Sequence, residues 1–195
     1  MSSSGPYGDT RRVRTGLYRR ALGDAAYDTL PPVLRRFHDL PDGGDARGTL
    51  RVTRGSGWVR AAVAEAMRLP RPGDDVPVVV RVDVAEGAER WTRDFARRRL
   101  ETRQWHDRRS GLLIESAGPL RLGFRLSADA EGMQFTFVRC WLPVGVAALP
   151  LPAALSPRVA ARTSDYEDGW WVSVRIDVPL LGTLTHYEGK VTPVW

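Results

Sequence analysis

"VPVVVRVDVAEGAERWTRDF", residues 76–95, decides how the rest of the chain is read. Val76, Val78, Val80, Val82 and Val84 recur at every second position, the spacing of one face of a β-strand and not of a helix. "AEG" at 85–87 is a turn signal, and Trp91, Arg93 and Phe95 then fall on alternate positions of a second run. The valine run reads as a strand with one largely apolar face, and the segment after the turn stays open between strand and helix.

Downstream the same period returns in Leu120, Leu122, Phe124 and Leu126, in Phe135, Phe137 and Trp141, and in Trp170, Val172, Val174, Ile176 and Val178. "SAGP", "ADAEG", "YEDG" and "LLG" separate these runs, and gaps so short permit hairpins but leave little room for βαβ crossovers. Two stretches break the pattern. "LPVGVAALPLPAALSPR", 142–158, is too rich in proline for a central strand and is expected to cross over or lid one edge. Residues 89–107 fit a strand, with Trp91, Arg93, Phe95 and Trp105 on alternate positions, or a helix, with Trp91, Phe95, Thr102 and Trp105 sharing one side with Arg98, and periodicity does not decide between them.

Upstream, "TGLYRRALGDAAYDTLPPVLRRFHDL" predicts a helix through Leu17, Tyr18, Ala21 and Leu22 that ends at Gly23, and a short one opened by Pro31 and Pro32. "GTLRVTRG", 48–55, alternates as a strand. "GSGWVRAAVAEAMRLP" predicts a helix stopped by Pro70 that buries a broad stripe including Trp58, Ala62, Ala66 and Leu69. Residues 1–15 read as a disordered arm without the apolar core of a secretory signal, and 16–195 as one domain. The expected fold is α+β: a strongly curved antiparallel sheet or partial β-barrel of about seven to nine strands, with N-terminal helices and the Trp58–Leu69 helix on its concave side.

The formal charge of +6 would suit a polyanionic partner, but only Lys190 of the 29 basic residues is lysine, and asparagine is absent. Arginine fills positions that lysine fills elsewhere, so the excess charge is background and nucleic acid is not the expected partner. No apolar run approaches the roughly 18 residues of a transmembrane segment. Cys140 is the single cysteine and has no internal disulfide partner, which fits a cytoplasmic location.

"LYRRALGDAAYDTLPPVLRRFHD", "GTLRVTRG", "RLPRPGDDVPVVVRV", "ERWTRDF", "GLLIESAGPLRLGFRL" and "VPLLGTLTHYEG" follow one another in an order and spacing that resembles the bacterial DUF4166 domains of unknown function. The resemblance runs from about Leu17 to Val191, nearly the whole chain. It implies a domain that stands alone in some proteins and in others accompanies a saccharopine-dehydrogenase-like or short-chain-dehydrogenase-like oxidoreductase. An oxidoreductase partner is therefore an expectation by analogy. The chain itself has no Gly-x-Gly-x-x-Gly after a strand, and no cofactor is expected. The resemblance also favours a strand for Trp91 to Phe95, followed by a turn and another strand. It implies a glycine-containing turn there, which "ARRRLETRQ" lacks.

In a strand, Trp91, Arg93 and Phe95 place a guanidinium between two rings, and a buried guanidinium needs a carboxylate. Glu115 is the partner at hand. The pair reads either as a ligand-orienting couple within a cavity or as a structural ion pair. His186 and Glu188 share one face of a strand and Tyr187 the other, so His186 and Glu115 are the candidate acid/base groups and Tyr187 a candidate donor to ligand. The three histidines have no metal-ligand spacing, and no metal is expected. Cys140 reads as a small buried hydrophobe and Ser56 as a helix cap. The function expected is a binding module for a small apolar or amphipathic molecule, held near Trp91, Arg93, Phe95, Glu115 and Tyr187; the alternative is a noncovalent acid/base enzyme or an accessory to an oxidoreductase.

Overall fold

The computed structural model describes residues 16–96, 98–145 and 147–195; the expected N-terminal arm, 1–15, lies outside the described residues. Three short helices, α1 (Leu17–Leu22), α2 (Asp24–Asp28) and α3 (Pro32–His38), precede strand β1 (Gly43–Arg54). After α4 (Trp58–Ala66) come β2 (Gly73–Ala85), β3 (Ala88–Phe95), β4 (Arg98–Asp107), β5 (Leu112–Ala117), β6 (Leu120–Asp129) and β7 (Gly132–Val144). A short β8 (Ala147–Pro150) leads to β9 (Arg158–Tyr166), β10 (Gly169–Val178) and β11 (Gly182–Val194).

Every pairing is antiparallel. The order runs from β6 through β5, β4, β3, β2 and β1 to β11, β10, β9 and β7, and β7 returns to β6. Ten strands thus close into an up-and-down barrel, with β8 paired to β7 as an extra hairpin arm. This goes further than the partial barrel of seven to nine strands. The ambiguous segment 89–107 forms strands β3 and β4, and β1 pairs with β11 from Asp45↔Val194 to Arg54↔Thr185, which closes the barrel. Glycines permit that seam: a Cβ on Gly48 would stand 2.1 Å from the Lys190 carbonyl oxygen, and one on Gly189 2.2 Å from that of Thr49.

Alternation decides the two faces. Val78, Val80 and Val82 of β2, Phe124 of β6, Trp170 of β10 and Val191 of β11 are buried in one core. Trp141 departs from the simple period. A bulge where β6 meets β7 shifts the register beside Gly123 and Phe124, so Cys140 takes the inner position opposite Leu122. Trp141 then lies against Gly123, whose Cβ would meet the Trp141 ring at 3.0 Å. Cys140 is buried, as a small hydrophobe would be.

The two ends differ. At one, α1 to α3 form a plug: Leu17, Tyr18, Tyr27, Leu30, Leu34 and Phe37 join the barrel core, and Arg20 Nη2 donates to the Gly87 carbonyl in the β2–β3 turn at 2.7 Å. At the other lies α4. Its expected stripe is mostly not buried, and it crosses the rim instead of lining the concave face. Ala64 and Leu69 pack on Leu184 of β11, but Trp58, Val59, Ala62 and Ala66 are exposed. The proline-rich stretch forms β8 and a connection whose Pro157 borders the barrel interior.

Candidate functional site

A cavity of about 600 Å³ occupies the barrel. Tyr18, Leu34, His38, Trp91 and Trp170 make its floor at the plugged end. Val78, Val80, Phe124, Phe135, Val172 and Val174 wall it, because these strands turn their apolar alternate positions inward. At the far end it is bordered by Met67, Arg68 and Leu69 after α4, by Arg99 and Glu101 of β4, and by Gly118 and Pro119 in the β5–β6 turn. Arg68, Glu101, Gly118 and Pro119 are exposed, so the cavity reaches solvent there.

Midway, the largely apolar wall carries a polar cluster. Arg93 comes from β3, Thr102 from β4, Glu115 from β5 and Tyr187 from β11, and all four line the cavity. The Arg93 Nη1 donates to Thr102 Oγ1 at 2.9 Å and stands 3.7 Å from Glu115 Oε1. Its guanidinium lies 4.9 Å from the centre of the Trp91 ring, a cation–π contact. The two charged side chains are 17% and 15% exposed, and what exposes them is the lumen. Among the described residues neither the Glu115 carboxylate nor the Tyr187 hydroxyl has a hydrogen-bonding side-chain partner, so both keep free capacity. Burial pushes the Tyr187 hydroxyl up, the Glu115 charge adds to that, and Arg93 opposes it; Tyr187 therefore stays a neutral donor.

The turn that aims Arg93 is tight and contains no glycine. Ala96 adopts φ +53° and donates its backbone N–H to the Pro77 carbonyl at 2.9 Å. The hairpin the resemblance implied forms at the cost of a left-handed alanine, about 1 kcal/mol.

Trp91, Arg93, Phe95, Glu115 and Tyr187 thus stand around one lumen. His186 does not join them. It lies on the outer face, where Nε2 is 3.1 Å from Ser173 Oγ and 3.8 Å from Glu188 Oε2. Phe95 is buried against Tyr187, ring centres 5.5 Å apart, and supports that ring from the side.

Sequence reasoning missed the floor. Tyr18 Oη donates to Gln104 Oε1 at 2.7 Å, both buried, and the Tyr18 ring sits 3.9 Å from that of His38. The His38 ring borders the lumen, yet burial drives it down to about 3, so it is neutral. Beside it, the buried Glu89 accepts from Trp91 Nε1 at 2.9 Å. Burial lifts this carboxyl to about 7, against the bond from Trp91 and the charge of Arg20. The inward parity of Glu89 with Trp91, Arg93 and Phe95 was the available signal. Tyr18, His38 and Gln104 had none, since they meet through the plug.

Among the described residues there is no group of three or more side chains able to hold a metal, and no helix is long and apolar enough to cross a membrane. No curated protein and no solved structure matches the chain. Residues 30–191 do match a family of domains without known function, a span that holds the whole barrel wall except the C-terminal end of β11 and omits α1 and α2. The chain belongs to the DUF4166 family.

Proposed function

We propose that this DUF4166 barrel binds a small amphipathic, lipid-like molecule in its lumen. The observation that carries the reading is a polar cluster, Arg93, Thr102, Glu115 and Tyr187, set midway in the wall of a largely apolar cavity of about 600 Å³. That volume lies within the roughly 300–1,000 Å³ range of small-molecule sites, and apolar walls with few convergent polar groups are their usual lining. The tail lies along Val78, Val80, Phe124 and Val172. The head meets Arg93 and Tyr187 as donors and Glu115 as acceptor. Because Arg93 already faces Glu115, a head that both accepts and donates, such as a hydroxyl or protonated carboxyl, fits better than a dianion.

The purified protein is expected to carry or take up such a molecule, seen as added mass under native ionisation and as enhancement of a fluorescent acyl probe. Arg93→Met with Glu115→Gln removes both charges together and should weaken the probe at least about tenfold. A clean apo mass together with no uptake of the probe would sink the reading. The free carboxylate of Glu115 supports a second reading, a noncovalent acid/base enzyme with Glu115 as base and Arg93 and Tyr187 as oxyanion donors. In that case Glu115→Gln abolishes turnover and leaves probe uptake intact.

A further inference from the structure

The open rim of the barrel exposes apolar side chains that the plugged end buries. Trp58, the first residue of α4, is 83% exposed, and Leu180, between β10 and β11, is 95% exposed. Val59 of α4, Leu155 in the connection after β8, and Leu149 and Val144 of the β7–β8 hairpin are exposed as well. The topology sets these segments along one arc: α4 packs on β11, the β10–β11 turn follows, then the start of β9 with the connection leading into it, then the β7–β8 hairpin. Arg60 joins the first two, donating from Nε to the Leu181 carbonyl and from Nη1 to the Ser56 carbonyl.

Leu180 is doubly unfavourable where it stands. Leu181 N–H donates to the Val178 carbonyl at 3.1 Å, closing a turn with Pro179 and Leu180 at its centre, and Leu180 has φ +67°. That position of such a turn favours glycine, and water disfavours a bare leucine. Neither folding nor solubility accounts for leucine there, and a hydrophobic partner accounts for both features.

The charge around the arc is positive. From Gly132 to Ser164 the chain has Arg139, Arg158 and Arg162 and no acidic residue, and of these three Arg162 is held by Glu131. Residues 57–75 carry Arg60, Arg68 and Arg71 against Glu65, Asp74 and Asp75; Glu65 is held by Arg54, Arg98 and Arg71, and Asp74 by Arg51. Asp177 is held by Arg175. Arg60 and Arg68 have no acidic partner among the described residues. Exposed tryptophan and leucine set among unneutralised arginines match the chemistry of an anionic bilayer surface, where the indole sits at the headgroup level and the cations meet the phosphates.

We propose that the open rim, with Trp58 and Leu180 at its leading edge, docks on an anionic lipid bilayer, bringing the cavity mouth at Met67, Arg68 and Leu69 next to the membrane. The docking does not depend on what the cavity holds. It is tested by flotation with vesicles of phosphatidylcholine alone and of phosphatidylcholine with phosphatidylglycerol. The protein is expected on the phosphatidylglycerol vesicles and to leave them as salt rises. Leu180→Gly and Trp58→Ser should each lower the bound fraction about fivefold or more. Glycine suits φ +67°, so a loss in Leu180→Gly cannot come from misfolding. Trp195→Ser, at the plugged end, should bind like the unchanged protein. The proposal is overturned if the protein floats with neither vesicle, if both rim variants bind unchanged, or if Trp195→Ser loses as much as they do. A homodimer that dissociates on Trp58→Ser would also overturn it, since the rim would then be a contact between copies.

Discussion

The plugged and open ends of this barrel use the same kinds of side chain to opposite effect. At the plug, Phe37 and Trp170 lie 4.9 Å apart, Tyr18 meets Phe135 edge-on at 6.2 Å, and Trp91 is locked to Glu89 by a hydrogen bond. At the rim, Trp58 and Leu180 touch water. The difference is one of purpose: an end that is closed by packing stabilises the barrel, and an end that leaves apolar surface bare keeps the lumen reachable.

Truncating one tryptophan from each end should expose this contrast most. Trp170→Ala is expected to cost about 3–5 kcal/mol in urea unfolding, because it empties a packed site beside Phe37. Trp58→Ala should stay within about 0.5 kcal/mol. Similar losses at the two positions would mean that the rim contributes as much to stability as the plug.

A second contrast lies within the plug. Glu89 has a folded value of about 7 against an ordinary 4.5, so it contributes stability that is full below 4.5 and lost as pH rises toward 7. His38 has a folded value of about 3 against 6.5, so its contribution is full above 6.5 and lost as pH falls toward 3. Between 4.5 and 6.5 the two slopes cancel. Glu89→Gln removes one of them: the variant should lose about 1.4 kcal/mol per pH unit on acidification through this window, and should be about 2–3 kcal/mol more stable than the unchanged protein at pH 8. Denaturant midpoints measured at pH 4.5, 6.5 and 8 check both statements. A parallel pH dependence in the two proteins would show that Glu89 is solvated.

The smallest effect concerns the hairpin that aims Arg93. Ala96→Gly relieves φ +53° and should stabilise the fold by less than about 1 kcal/mol, seen as a small rise in thermal midpoint, without weakening the acyl probe. A loss of probe binding would show that the stiffness of this turn matters to the site.

Much of the barrel wall was legible. Val78, Val80 and Val82 face inward as their period required, and Trp91, Arg93 and Phe95 line one lumen with Glu115. The helix from Trp58 was misread as core, because an amphipathic stripe shows only that one side is apolar, and here much of that side meets no protein surface. The parity of Trp141 was misread because a bulge shifts the period by one residue without a local signal.

By itself, the sequence determined that this is an antiparallel protein, which residues share a face on most strands, and that a cation and a carboxylate stand among aromatic rings. These follow from local rules, the period of two and the short turns, which act within about ten residues. Tertiary structure alone decided that β1 and β11 meet, that ten strands close around a cavity, and that Tyr18, His38 and Gln104 make its floor. The bond from Tyr18 to Gln104 joins residues 86 apart, and closure depends on twist and register summed over every strand, which no single stretch of the chain records.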